Sequence, residues 1–390
     1  MTSDVTIFGA GLFGLGVAWA CASRGARVRV VDPAGPGAGA SGGLVGALAP
    51  HAPENWSAAK AFQLEALCMA EGFWAEVARI GGIDPGYASC GRLQPVADDA
   101  ALARNRDRAV AAAAHWRGQG AWQVIRATGA AWEPKSPTGW LVHDTLTGRV
   151  SPRAACAALV AAIRARRGEI VTEAPASDGP QVWATGWRGL ERLSVETGCP
   201  MGGGEKGQAL RLAPRFSARP PRFSARPPRF SARPPPFSAR PPPPKRAPPA
   251  HPPASGAGAM ATQAPVIMGP GLFIVPHADG TVAVGSTAER VWDDPTATDG
   301  QLDAVLERAR ALVPALSGLP VVERWAGVRP RSATRRPLLG PHPTRPGVFL
   351  ANGGFKIGVA LAPLAGVLLA DLILEGRDRI PPEFRPETRA

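Results

Sequence analysis

Asp4-Val-Thr-Ile-Phe8 runs directly into Gly9-Ala-Gly11-Leu12-Phe13-Gly14, a short apolar strand followed at once by a spaced glycine turn. A helix is expected to about Arg24, and Ala26-Arg-Val-Arg-Val-Val31 supplies a second strand that ends at Asp32, eighteen residues beyond Gly14. Strand, glycine turn, helix, strand and acid in this register predict a βαβ dinucleotide-binding unit. Each glycine has its own physical reason. Gly9 permits the tight turn, Gly11 lets the backbone approach a pyrophosphate, and Gly14 allows the helix to pack closely on the strand. The phosphates then meet the positive end of the helix, at Leu12 and Phe13. Asp32 can accept hydrogen bonds from both hydroxyls of an adenosine ribose, which argues against a 2′-phosphate at that position.

FAD and NAD share this fingerprint, and three later segments favour FAD. The first runs from Asp32 through a glycine-rich stretch to Ser41 and Gly42 and on to His51, a crossing able to pass beside an extended dinucleotide. The second, Gln181-Val-Trp-Ala-Thr185-Gly186, reads as a returning strand whose end turns under the ADP half. The third is Val348-Phe-Leu-Ala-Asn-Gly353-Gly354-Phe355-Lys356-Ile357-Gly358, a strand and glycine turn leading into a helix from Val359 to Glu375. The positive end of that helix would face the flavin pyrimidine ring, where negative charge collects on reduction.

The remaining composition fits a globular enzyme. At 390 residues and 45% hydrophobic content the chain has room for roughly two domains. Its five cysteines are scattered, without a Cys-x-x-Cys pair, so neither a disulfide framework nor a metal site is encoded, and a reducing cytoplasm is expected. The apolar run Ala10–Ala22 lacks a preceding basic residue and is broken by glycines, unlike a signal peptide. The stretch Val359–Leu374 carries Pro363 and Asp371, so no membrane span is expected. The net charge of +13 is largely local. Residues 214–253 hold nine Lys or Arg and no acid, which leaves +4 on the other 350 residues. That stretch repeats Arg215-Phe-Ser-Ala-Arg-Pro-Pro221 from Arg222 and Arg229, and imperfectly from Pro236. Its prolines favour a disordered or polyproline-like linker. Two readings stand: a low-complexity insertion, or an arm whose arginines and phenylalanines bind nucleic acid or acidic lipid.

Taken together, these motifs resemble the FAD-dependent D-amino-acid oxidase superfamily, the branch of glycine oxidase, sarcosine oxidase and D-amino-acid dehydrogenase. Further marks of the resemblance are Leu272-Phe-Ile-Val-Pro-His277, Thr281–Thr287 and Trp325-Ala-Gly-Val-Arg329-Pro-Arg331. It implies an α/β chain, α+β overall, in which a Rossmann-type FAD-binding domain is interleaved with an antiparallel-sheet substrate domain. Residues 1–86, 149–190 and 327–377 then form the FAD domain. Residues 87–148 and 191–326 form the substrate domain, with the repeat inserted at 213–260 and a tail at 378–390. The chain is too short between Thr172 and Val182 for the small hairpins usual there, and lacks a cysteine after Cys199 for a cysteinyl-flavin bond, so noncovalent FAD is expected.

The resemblance also implies the reaction: hydride passes from the α-carbon of a small amine or amino acid to flavin N5, and the imine is hydrolysed. O2 or another acceptor then reoxidises the flavin. Arg329 stands where relatives bind the substrate carboxylate, and its fork suits that geometry; the competing reading is a domain-spanning salt bridge. Lys356, beside the inferred flavin edge, either supports the carboxylate or reduced flavin or is a solvated loop lysine. His277 and His51 are candidate acceptors of the amine proton, against ordinary structural roles. Two other functions are compatible with the sequence: oxidation of a modified tRNA wobble uridine, with the repeat holding RNA, and a nonenzymatic flavoprotein subunit.

Overall fold

The computed structural model describes residues 3–173, 179–213 and 263–386. The Pro/Arg repeat lies outside the described residues.

Strand Val5–Phe8 pairs in parallel with Val28–Val31, in the register Val5 to Val28 and Phe8 to Val31, and helix Leu12–Ala22 makes the crossover. Val5, Thr6 and Ile7 are fully buried, as expected of strands covered on both faces. The sheet has six strands, in the order Leu338–Pro341, Val348–Asn352, Gln181–Trp183, Val5–Phe8, Val28–Val31 and Glu169–Val171. Leu338–Pro341 alone among them runs antiparallel to its neighbour. Helices Leu12–Ala22, Ala58–Gly81, Pro152–Ala165 and Gly358–Glu375 share one core with this sheet. The first and last of these touch backbone to backbone: a Cβ on Gly366 would lie 2.4 Å from the carbonyl oxygen of Gly16. That contact brings the N-termini of two helices to one side of the sheet.

The second sheet has eight strands, in the order Val321–Ser332, Gly202–Leu212, Val282–Gly285, Leu272–Pro276, Val266–Gly269, Arg92–Pro95, Trp140–Asp144 and Trp122–Arg126. Its pairs are antiparallel except Val266–Gly269 with Arg92–Pro95. Alternation along the strands gives each face its own cover. Leu210, Leu212, Ile274 and Val284 pack with Leu302, Val305 and Leu306 of helix Gly300–Leu312. On the other face Ala209, Val275 and Ala283 meet Leu44, Val45 and Trp325, so the crossing segment lies directly on the sheet.

Two elements extend the sequence reading. The helix after Gly354 is long and apolar enough to cross a membrane by length and composition, despite Pro363 and Asp371; most of it is buried in the core of the protein. The turn at Thr185-Gly186 does more than close a strand. It opens the helix Gly186–Thr197, which buries Leu190 and Leu193.

Candidate active site

The glycine turn forms a cradle that side chains would fill. Gly9 has φ +107°, and a Cβ there would lie 2.3 Å from Ala184 O; a Cβ on Gly14 would lie 1.9 Å from Gly9 O. Gly11 precedes the helix with no side-chain cap. Leu12 N donates to Ser41 Oγ at 2.9 Å, which ties the short helical turn Ala40–Gly42 to the helix start. Asp32 Oδ2 accepts from Ala10 N at 2.8 Å and Oδ1 from Ala34 N at 3.0 Å. Each carboxylate oxygen therefore keeps acceptor capacity for a ribose hydroxyl.

The neighbouring strands complete the cradle. Gly186, with φ +65°, accepts a hydrogen bond from Asn352 Nδ2 at 2.9 Å, which locks the Thr185-Gly186 turn to the end of strand Val348–Asn352. Gly353 has φ +73° and donates to Asn352 Oδ1 at 2.8 Å. A Cβ on Gly354 would lie 2.6 Å from the Phe13 ring, so the two glycine turns close on each other. Phe355, Lys356 and Ile357 form a tight turn into helix Gly358–Glu375, which has neither a side-chain cap nor an acid in its first turn. Two helix N-termini without a cap from their own N-cap residues, a carboxylate with spare acceptor capacity and glycines whose Cβ positions are blocked fit an extended dinucleotide.

Strand Val321–Ser332 faces both the Ala40–Gly42 turn and the Phe355–Ile357 turn, with Arg331 bridged to Gly354. Trp325 folds over Gly327 and reaches Gly43, its ring 3.3 Å from where a Cβ would stand. Arg329 lies across Gly207 on the adjacent strand. Its Nη1 donates to Lys206 O at 3.4 Å and Thr287 O at 3.3 Å, and its Nη2 to Ser286 Oγ at 2.6 Å. Burial lowers its pKa and the nearby Glu205 and Glu289 raise it; an arginine stays charged through such shifts.

Glu205, absent from the sequence expectations, stands directly opposite Arg329 in the strand register and is 5% exposed. Lys356 Nζ lies 3.4 Å from its Oε1, and Arg331 Nε lies 4.0 Å from its Oε2. The structure thus brings Arg329, Arg331 and Lys356 around one carboxylate. In sequence, Glu205 reads as a single charge in a glycine-rich strand. Its one usable signal is the alternation that puts it on the face of Ala209 and Gly207.

The histidines part company. His277 is buried, with Nε2 2.9 Å from Leu44 O and Nδ1 unpartnered. A carbonyl only accepts, so Nε2 carries the proton, and burial lowers the pKa of the ring. His277 therefore pins the crossing segment to the sheet. His51 is exposed, and its backbone N donates to Gln63 Oε1 at 2.8 Å. Its pKa is lowered by partial desolvation and by the Lys60 charge. No hydrogen bond or ion pair among the described residues joins it to Arg329 or Lys356. No cluster of three or more His, Cys, Asp or Glu suited to a metal occurs among the described residues.

The family model described as DAO, FAD dependent oxidoreductase, matches residues 4–232 and 238–372. The chain is 36% identical over 125 residues to a glycine oxidase of Pseudomonas putida, a match covering 32% of this chain and 34% of that protein. It thus spans about a third of the length of the curated relative it matches. Glycine oxidase from Geobacillus kaustophilus superposes with a TM-score of 0.76 at 20% identity, over 100% of this chain and 99% of that one. Iminodiacetate oxidase from Chelativorans sp. BNC1 does so at 0.75 and 20%, over 98% of each. At such identities these two are similar in fold.

Proposed function

The chain belongs to the DAO family of FAD-dependent oxidoreductases, and from that premise we propose that it oxidises the C–N bond of a small amine or amino acid, with FAD held noncovalently. One observation carries the substrate side of this reading. Three donated bonds, two from Nη1 and one from Nη2, fix the Arg329 head in place, and Nε–H and one Nη2–H remain to be donated. Two parallel N–H groups are what a carboxylate takes up.

FAD, when bound, would supply the hydride acceptor for the substrate α-carbon. The chain's own residues bind, orient and exclude water. The remaining first-turn amides of helix Leu12–Ala22 and the Ser41 hydroxyl would hold the pyrophosphate, and Asp32 would hold the ribose. Arg329 fixes the carboxylate, and Trp325 with Leu44 and Val45 walls off water between crossing and sheet. With Arg331 and Lys356 outnumbering Glu205, the face stays positive and draws anions. His277 acts here as a positioning residue, since Nε2 is engaged by Leu44 O and the unprotonated Nδ1 is itself buried.

Anaerobic absorbance scans of the FAD-loaded protein with glycine, sarcosine, D-alanine and D-proline test this. Bleaching of the flavin band by one of them is expected, and repetition in air separates O2 from another acceptor. Arg329→Gln should lower kcat/KM by at least about tenfold, the scale of a hydrogen bond to a charged group. A flavin that dithionite reduces but no amine bleaches would overturn the proposal.

A further inference from the structure

Glu205 is a costly residue to place where it is. It lies in the middle of strand Gly202–Leu212, buried, and no donor among the described residues reaches its Oε1. Lys356 stands 3.4 Å away without directing a hydrogen bond at that oxygen. A buried carboxylate oxygen left without a donor is destabilising, and leaving it so in a fold that surrounds it with cations points to a partner that arrives from outside.

Position defines that partner. Glu205 and Arg329 are directly opposed across an antiparallel pair, so their side chains rise from the same face with Cβ atoms about 4.5–5.5 Å apart. Gly207 and Gly327, the next opposed pair on that face, present no side chains of their own. The Arg329 head takes the place of a Gly207 side chain and the Trp325 ring that of a Gly327 side chain, so carboxylate and guanidinium stand side by side on that face, with Lys356 and Arg331 beside the carboxylate. An α-amino acid carries its amine and its carboxylate on adjacent atoms of one carbon, with the matching signs.

We propose that Glu205 and Arg329 form a two-point reader for an α-amino acid, Arg329 taking the carboxylate and Glu205 Oε1 accepting a hydrogen bond from the substrate nitrogen. This rests on the oxidase reading and narrows it. Carboxylates that lack an amine meet the Glu205 charge without compensation and bind poorly, whereas amino acids gain the bond that Oε1 lacks.

The test compares 2-aminoisobutyrate, whose α-carbon bears no hydrogen and so cannot be oxidised, with isobutyrate, which differs by the missing amine. Each is titrated into the oxidised holoenzyme and read by the visible flavin spectrum. Wild type should take 2-aminoisobutyrate more tightly; failure to do so overturns the proposal before any variant is made. Glu205→Gln should shift the two ligands oppositely: 2-aminoisobutyrate weaker and isobutyrate tighter, each by about tenfold. Shifts in the same direction, or none, would show that Glu205 merely offsets the charge of Lys356 and Arg331, and would overturn it. If Glu205→Gln does not load FAD, Glu205→Asp keeps the charge on a shorter stem; it should weaken 2-aminoisobutyrate and leave isobutyrate unchanged, and parallel changes again overturn the proposal. Bleaching of the wild-type flavin by amino acids alongside parallel shifts would retain amine oxidation and remove Glu205 alone. Absence of bleaching would remove the oxidase reading itself.

Discussion

Gly14 and Gly207 are both positions where a methyl group has no room, yet the consequences differ because of what stands in the way. At Gly14 the obstacle is the backbone carbonyl of Gly9, 1.9 Å from the Cβ position, and neither the turn nor the helix can move without opening the cradle. Gly14→Ala is expected to cost about 1–3 kcal/mol, as overpacking does, and to lower the FAD content of the purified protein. Thermal melting and the ratio of flavin to protein absorbance measure both. At Gly207 the obstacle is the Arg329 head, 2.0 Å from the Cβ position and carried on a flexible stem. Gly207→Ala should therefore leave stability within about 1 kcal/mol of wild type while lowering kcat/KM, because the guanidinium gives way and its remaining N–H groups turn. A variant that melts early with unchanged kcat/KM would mean that the sheet, and not Arg329, absorbs the methyl group.

At the scale of elements, the His277 bond to Leu44 joins two segments distant in sequence, the crossing that lines the cofactor cradle and the strand Leu272–Pro276. Burial holds the pKa of His277 below the ordinary imidazole value of about 6.5. The unfolded chain therefore binds a proton that the folded one refuses. The stabilisation is fully present above pH about 6.5 and is lost as pH falls towards the folded pKa. Melting temperature should thus drop between pH 7.5 and 5.5, and His277→Gln, whose amide can still donate to Leu44 O, should show a shallower drop. Some slope will remain, since the pKa values of His51 and His342 are also lowered by desolvation. Equal slopes in wild type and variant would place the titration elsewhere. The contrast with the first strands is instructive. Val5–Phe8, Leu12–Ala22 and Val28–Val31 were legible because glycine spacing, apolar runs and the terminal acid are local in sequence. Glu205 was not, because its meaning depends on Arg329, Arg331 and Lys356 arriving from two later elements, and nothing local marks a buried acid. His277 could be selected as a site residue, but its tether to Leu44 could not.

At the scale of the whole molecule, the question is whether residues 214–253 serve the fold or the chemistry. Leu212 pairs with Val282, and Val282 with Pro276, while strand Val266–Gly269 begins beside the same sheet edge. The chain thus leaves and re-enters the sheet at one end, three strand spacings apart, which is about 14 Å. Both flanks are fixed by described contacts: Ala213 N donates to Pro320 O at 3.1 Å, and Trp132 Nε1 to Pro265 O at 2.8 Å. Deleting 214–253 would leave the nine residues 254–262, able to reach about 30 Å, enough to close the gap without strain. The deletion should therefore fold, hold FAD and melt within a few degrees of wild type. It also removes nine positive charges, so any affinity for RNA or acidic vesicles that falls steeply with salt should vanish with it. If turnover of a free amino acid is unchanged, the segment is dispensable for amine chemistry and the tRNA reading loses its main support. If turnover with free amino acids is absent in both forms and RNA binding is lost only in the deletion, the weight moves to a macromolecular substrate held by the repeat and presented to the same flavin.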